Sequence, residues 1–322
     1  MQANQLESSM PCNLCGGRHV EVLSNRSRSG AALRTVICKD CGLVWSDPFP
    51  HDPRQFYADD YRLAYKQTYA PKAKHILRAG RVALERHAKI KHLLQQRRRV
   101  LDVGTGGGEF AYLIQSLGHE LQGIEPNKGY GEYSAAQYGL NLQIGFIQDA
   151  ALDDASFDLV TIWHVLEHTE DPSAVLGRLR GLLKPDGILV VEVPNVEAVC
   201  QSPASSFHEA HLFNFNANTL QRMGEKVGLT ASEYRLSEDG GNLTMFFKPA
   251  EVRADSAALS GNADRIGAIV RGHTNLRHFM RAAPYLRFLK KLQRSIAERG
   301  LNQPVADSKA LLDQLYREYR VL

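Results

Sequence analysis

Residues 100 to 110, Val-Leu-Asp-Val-Gly-Thr-Gly-Gly-Gly-Glu-Phe, decide the fold. An apolar strand runs into an Asp-x-Gly-x-Gly-x-Gly turn and straight on into a helix, which is the form of a nucleotide-cofactor loop. Glycine at 104 and 106 removes the Cβ atoms that would keep the backbone off a ligand, and permits the positive φ of a tight strand-to-helix turn. The dinucleotide pattern Gly-x-Gly-x-x-Gly fails, because counted from Gly104 its last position is Glu109. Asp102 is a poor neighbour for pyrophosphate. A carboxylate there suits a cationic ligand carrying an ammonium and a sulfonium.

Outward from the loop, further stretches follow in order. Leu121-Gln-Gly-Ile-Glu125 reads as a second strand ending in an acid, and Ile144-Gly-Phe-Ile-Gln-Asp149 as a third. Phe157-Asp-Leu-Val-Thr-Ile-Trp163 reads as a fourth, leading into His164-Val-Leu-Glu-His168. Leu182-Leu-Lys-Pro-Asp-Gly-Ile-Leu-Val-Val-Glu-Val-Pro-Asn195 reads as a helix end, a turn and a fifth strand. A helix at 217–227 then precedes strands at Leu229–Leu236 and Leu243–Phe247. In this order the stretches resemble the class I S-adenosylmethionine-dependent methyltransferases, whose first motif is the glycine loop. The resemblance implies an α/β fold, a Rossmann-like seven-stranded methyltransferase sheet closed by an antiparallel pair. It carries the S-adenosylmethionine contacts onto Asp102, Gly104, Thr105, Gly106, Glu125, Pro126, Asp149, Trp163 and His164, with Glu125 on the ribose hydroxyls and Asp149 toward the adenine amine.

Four of the five cysteines form two knuckles, Cys12-Asn-Leu-Cys15-Gly and Cys38-Lys-Asp-Cys41-Gly. Paired C-x-x-C motifs supply the four soft ligands of a closed, tetrahedral structural zinc site with no open position for catalysis. Disulfides are the rival reading, disfavoured in a cytoplasmic chain; Cys200 is left over and is expected to pack. Residues 10 to 48 thus read as a zinc ribbon, with short strands around Val20–Leu23, Arg34–Ile37 and Gly42–Trp45. A segment this small buries little core, so the metal would supply much of its folding energy.

The expected organisation is a ribbon at 1–50, an aromatic linker and amphipathic helix over the cofactor site at 51–96, a catalytic domain at 97–250, and a helical extension at 251–322. The linker carries Phe56, Tyr57, Tyr61, Tyr65 and Tyr69, and its helix is expected from about Lys72 to Gln96. From 254 onward the periodicity is helical only, broken at Gly272, Pro284 and Gly300. No run is long and apolar enough to span a membrane, and the N-terminus lacks the pattern of a signal peptide, so a soluble cytoplasmic protein is expected. The formal charge is +4. It is uneven: residues 251 to 322 hold 13 Lys and Arg against 7 Asp and Glu. That tail is either a solvated helical surface or a face for an anionic partner.

Methyl transfer from a sulfonium is an in-line displacement, so the acceptor must be held about 3 Å from the methyl carbon and relieved of a proton. Histidine is the fitting base. The resemblance places His164 and His168 on the substrate side, together with the His208-Glu-Ala-His-Leu-Phe-Asn-Phe215 segment, in which His211 is the preferred base. His164-Val-Leu-Glu167-His168 also spells the HxxEH of inverted zinc peptidases, but it falls where methyltransferases carry Leu-Glu-His. Small-RNA 2′-O-methyltransferases and some quinone-ring O-methyltransferases carry Glu-x-x-Glu-His there, with a later histidine. That likeness implies a catalytic divalent metal held by His164, Glu167, His168 and His211, although His164 replaces the first glutamate.

The Asn/Asp-Pro-Pro-Tyr/Phe element of base N-methylating enzymes is replaced by Trp163-His-Val-Leu. A zinc ribbon ahead of the domain and a histidine-rich segment after strand five are similar to bacterial sugar and polysaccharide O- or C-methyltransferases. The expected acceptor is therefore an oxygen or carbon of a sugar, glycan precursor or other small metabolite. Two rival readings stand beside it. One is an RNA methyltransferase binding through ribbon and tail, against which the ribbon shows few interleaved basic and aromatic residues and the isoelectric point is only about 8.7. The other is a non-catalytic scaffold that binds cofactor. Oligomeric state is not legible.

Overall fold

The computed structural model describes residues 6–50, 52, 54, 71–252, 259–303, 305 and 307–322. The aromatic stretch from Phe56 to Tyr69 lies outside the described residues. In chain order the elements are β1 (Leu6–Glu7), β2 (His19–Arg26), β3 (Ala32–Cys38), β4 (Val44–Ser46), α1 (Ala73–Ile90), β5 (Arg99–Val103), α2 (Glu109–Ser116), β6 (Glu120–Glu125) and α3 (Lys128–Tyr138). There follow β7 (Leu142–Ile144), β8 (Phe157–Trp163), α4 (Pro172–Leu182), β9 (Leu183–Pro194), β10 (Phe213–Asn214), α5 (Ala217–Lys226), β11 (Leu229–Leu236) and β12 (Asn242–Pro249). The chain ends with α6 (Asn262–Gly272), α7 (Asn275–Phe279), α8 (Ala283–Ala297) and α9 (Ser308–Glu318). Seven strands form one sheet in the order β11-β12-β9-β8-β5-β6-β7, the expected Rossmann-like methyltransferase sheet. None of the described helices is long and apolar enough to cross a membrane.

The chain divides into two compact units, one of residues 54–161, 182–187 and 289–322, the other of 1–53, 162–181 and 188–288. In the first, β5, β6 and β7 pair in parallel, with Val100 opposite Leu121 and Gly123 opposite Leu142. Val100 and Leu101 point to opposite faces of β5, and both are fully buried. This two-sided burial is why a parallel strand reads as an unbroken apolar run. Helix α1 buries Ile76, Ala83 and Leu84. At Gly80 an added Cβ would stand 2.6 Å from Leu315 and 2.8 Å from Leu312, so glycine lets α9 approach α1. The Tyr316 hydroxyl of α9 donates to the Glu109 carbonyl at 2.8 Å.

In the second unit, β1 to β4 and β10 make a separate sheet in the order β1-β2-β3-β4-β10. Its core joins Leu33, Ile37 and Val44 to Phe207 and to Ala263 and Ile266 of α6. Phe213, in the histidine-rich segment after strand five, closes the cysteine-bearing sheet, opposite Trp45. The same unit holds the antiparallel pairs β11–β12 and β12–β9.

Several local expectations shift. The third strand occupies Leu142–Ile144, not 144–149, because its ladder ends where β6 ends, at Glu125 opposite Ile144; Ile147–Asp149 is a 3-10 turn. The turn expected before strand five is absorbed into the single strand Leu183–Pro194. Helix α1 stops at Ile90, followed by a 3-10 turn at Lys91–Leu93, short of Gln96. The break expected at Pro284 falls at residues 280–282, between α7 and α8, and Pro284 stands in the first turn of α8, where its missing N–H removes no helical hydrogen bond.

Candidate functional site

The glycine loop is shaped by its backbone. Gly104, Gly106 and Gly108 have φ of 76°, 58° and 90°, angles that a side chain opposes. Gly104 N and Thr105 N both donate to the Ile124 carbonyl, at 2.8 and 3.0 Å, tying the loop to β6. A Cβ on Gly106 would meet only the Gly104 carbonyl oxygen, 4.0 Å away, so space for a ligand opens there. At Gly108 a Cβ would fall 2.6 Å from Ser134, which makes this glycine the one that lets α2 pack close to α3. The buried Glu125 carboxylate crosses the loop, accepting from Gly106 N at 2.7 Å and from Asn127 N at 2.9 Å. Pro126 leads from it to Asn127, which caps α3 by accepting from Tyr130 N. Asp149 is exposed and pairs with Arg54 at 3.0 Å.

Asp102 is buried and accepts from the Thr161 hydroxyl at 2.7 Å. Burial pushes its carboxyl up to about 6, with the Thr161 hydrogen bond opposing the shift. A cationic group delivered to this carboxylate would be rewarded by the low dielectric.

In the second unit, the Sγ atoms of Cys12, Cys15, Cys38 and Cys41 all lie within 4.8 Å of one another. Cys12 and Cys41 approach to 3.5 Å, as do Cys15 and Cys38. These are free thiols. A tetrahedral ion with bonds of about 2.3 Å separates its sulfurs by roughly 3.8 Å, so the four thiols fit one. Asn13, inside the first knuckle, grips the start of α4 by donating to Asp171 at 2.9 Å and accepting from Ser173 N at 3.2 Å. Asn262 donates to the Cys41 carbonyl at 2.9 Å and accepts from Asn216, the cap of α5, at 2.8 Å.

The histidines gather in the same unit. His164 follows β8 with a φ of 56° and lies between two buried carboxylates, 3.4 Å from Glu167 and 3.3 Å from Glu192. Burial pulls His164 down, but its close contacts with the Glu167 and Glu192 carboxylates outweigh it and lift the ring to about 9. Glu167 is on a 3-10 turn at Leu166–His168, not a turn of α-helix. Burial pushes it up, yet the charges of His168 and His164 prevail and hold it at about 2. Neither Glu167 oxygen has a well-formed hydrogen bond among the described residues. His168 Nδ1 stands 2.6 Å from the Ala210 carbonyl and so carries the proton, turning Nε2 toward Glu167 at 3.7 Å. His211 stacks on His208 at a ring distance of 5.1 Å and meets His168 edge-on at 4.9 Å. Burial pushes His211 down to about 3, making it a neutral imidazole at ordinary pH. Glu167, His168 and His211 each offer an atom within 4.8 Å of the others.

A recess of about 360 Å³ opens beside this cluster, lined by His164, His208 and His211 with Asn195, Asn214, Asn242 and Arg28. Sequence reasoning missed Arg28, Asn195, Asn214 and Asn242 as lining residues, because they lie on four separate segments. It also missed Glu192, although a lone acid inside Ile188-Leu-Val-Val-Glu-Val193 was a visible signal; it accepts from Thr244 at 2.5 Å. The histidine segment is held from the cysteine-bearing sheet. Arg28 N donates to Phe207 O at 2.7 Å, Ser46 N to Leu212 O at 2.9 Å, and Ser27 and Ser29 hydrogen-bond Glu209.

Residues 73–234 match the family described as methyltransferase domain. The chain belongs to this family. Among curated relatives it is 30% identical over 152 residues to a ubiquinone biosynthesis O-methyltransferase of Aeromonas salmonicida, covering 41% of this chain and 63% of that one. It is 26% identical to a probable S-adenosylmethionine-dependent methyltransferase of Mycolicibacterium smegmatis, covering 46% and 59%. The matches thus span about three-fifths of these relatives. A solved putative S-adenosylmethionine-dependent methyltransferase of Listeria monocytogenes matches with a TM-score of 0.45 at 13% identity, covering 52% of this chain and 100% of that one.

Within the methyltransferase domain, Asp102 generates a stability test. Folded, it keeps its proton up to about pH 6; unfolded, it loses it near ~3.9. A raised carboxyl stabilises the fold below the unfolded value, and that stability is lost as pH rises through the folded value. Asp102→Asn should therefore raise unfolding free energy at pH 7 by on the order of 2–3 kcal/mol and leave it unchanged at pH 3.5. Denaturant titrations at both pH values check this, and an equal effect at the two would refute it.

Proposed function

We propose that the chain transfers a methyl group from S-adenosylmethionine to an oxygen or carbon of a sugar, glycan precursor or other small metabolite, with a histidine as general base. One observation carries this reading: a small recess walled by asparagines and an arginine, with a neutral imidazole on its side. Amide and guanidinium groups match hydroxyls and carbonyls better than they match an apolar ring, and the volume suits a small acceptor. The name of the Aeromonas relative supports O-methylation.

S-adenosylmethionine would be held by the loop from Gly104 to Gly106, with Asp102, Thr105, Glu125, Pro126, Asp149, Trp163 and His164 as its remaining contacts. It supplies the electrophilic methyl when bound. The fit rests on the open space at Gly106 and on the carboxylate of Glu125 at the loop. His211 would take the acceptor's proton at a ring nitrogen. His164, cationic between Glu167 and Glu192, would fix those carboxylates and orient the acceptor. Cys12, Cys15, Cys38 and Cys41 would hold a structural zinc.

A second reading has a specific support. Glu167, with two buried oxygens lacking well-formed hydrogen bonds, and His168, whose Nδ1 proton is committed to a carbonyl, form with His211 a donor set that fits a divalent cation. Such an ion would supply Lewis acidity toward an acceptor hydroxyl.

Calorimetry should show S-adenosylmethionine binding, reduced at least 10²-fold by Gly106→Val, because the branched side chain fills the open space at a φ it resists. NAD binding in its place would refute the cofactor. Elemental analysis should find one zinc per chain; Cys38→Ser should lose it, melt residues 6–50 and reduce turnover while cofactor affinity holds. His211→Ala should lower turnover by roughly 10²-fold or more with cofactor affinity nearly unchanged. If chelation stops turnover without removing the zinc, the metal reading prevails; turnover surviving both chelator and His211→Ala refutes both.

A further inference from the structure

The ring of contacts that buries most helices of this chain is missing around α8. None of its residues is buried, and only Pro284 and Arg287 are even half-covered. Its apolar residues Tyr285, Phe288, Leu289, Leu292 and Ile296 recur at the spacing of one helical face, while Arg287, Lys290, Lys291 and Arg294 take the opposite face. Phe288 is 66% exposed, and Met280, just past α7, is 78% exposed. An apolar face of this extent left in water is costly unless something covers it.

The charge says what covers it. From Arg265 to Ala297 the sequence holds eight Lys and Arg and no Asp or Glu. Arg287 on the basic face is held by Asp239 and donates to the Cys200 carbonyl at 2.8 Å. That anchorage is on the face opposite the apolar one. Arg281, Lys290 and Lys291 have no acidic partner among the described residues. Arg265 and Arg271 are paired with Glu197 and Glu21, but a second copy of the same helix would cover the apolar face only by bringing two sets of Arg281, Lys290 and Lys291 together. RNA would neutralise the charge, yet leave leucines and isoleucine, which offer bases no ring to stack on, in water. An anionic bilayer meets both demands at once: acyl chains take the apolar face, and phosphate headgroups meet the lysines and arginines.

We propose that α8, with the adjoining α7, is a docking helix that lies in the surface of membranes containing anionic phospholipid. It does not span the bilayer. With 15 residues and a cationic face it is an interfacial element.

The test uses the full chain and sedimentation with vesicles of phosphatidylcholine alone or with about a third phosphatidylglycerol. Binding to the anionic vesicles should be at least tenfold tighter at low salt and weaken on raising salt. Both Leu289→Glu with Leu292→Glu and Lys290→Glu with Lys291→Glu should reduce it tenfold or more. These side chains are exposed, so thermal melting and calorimetric cofactor binding should match wild type. Equal binding to both vesicles, no binding to either, or binding that survives the leucine variant overturns the proposal. So does a dimer in sedimentation velocity that the leucine variant splits, or RNA that displaces the chain from vesicles and binds the leucine variant as tightly.

Discussion

Two residues of backbone pairing, Phe213 opposite Trp45 and Asn214 opposite Val44, hold the histidine segment to the cysteine-bearing sheet. Both aromatic side chains are fully buried. The pairing places His211 two residues ahead of a fixed strand, so a loop after strand five becomes an edge of another sheet. Register in a sheet is all-or-none: a slip by one residue would turn Phe213 to the wrong face. The hairpin after β2 adds a second attachment through Arg28 and Phe207. Consequently the four thiols, in the turn before β2 and at the end of β3 and just after it, bear on the histidines through packed strands.

The electrostatics of that cluster follow from where the carboxylates sit. Glu167 and Glu192 are buried, and two buried carboxylates without a cation would each be pushed toward the neutral form. His164 answers both. The neighbouring His211, by contrast, is driven to the neutral form chiefly by burial, with the surrounding histidines adding to the same shift. One histidine is thereby committed to structure and another is left with a lone pair, a division of roles set by environment and not by residue type. Asp102 shows the complementary case, a buried carboxyl with a hydroxyl partner, whose shift upward stores a preference for a cation.

The tail illustrates how a helix can be legible and its purpose not. Helical periodicity from 262 to 318 reads directly from the sequence, and α9 uses its apolar face on α1. Helix α8 has an apolar stripe of the same kind that no described residue covers. Sequence periodicity reports that a stripe exists; only the packing shows which stripe is covered.

The chain by itself determined the glycine loop, the succession of strands and helices along the methyltransferase domain and the two cysteine knuckles, while the seven-stranded sheet with its closing antiparallel pair followed from the family resemblance. Each of the first three rests on spacing within a few residues, which local backbone geometry enforces. It did not determine that β7 is short, because the end of a parallel ladder is set by its neighbour. Nor did it show that Phe213 belongs to the N-terminal sheet, that Glu192 meets His164, or that Arg28, Asn195 and Asn242 line one recess. Those groups are far apart along the chain and carry no common pattern. Only the tertiary structure brings them within reach, because the burial that joins them depends on which faces the strands present to each other.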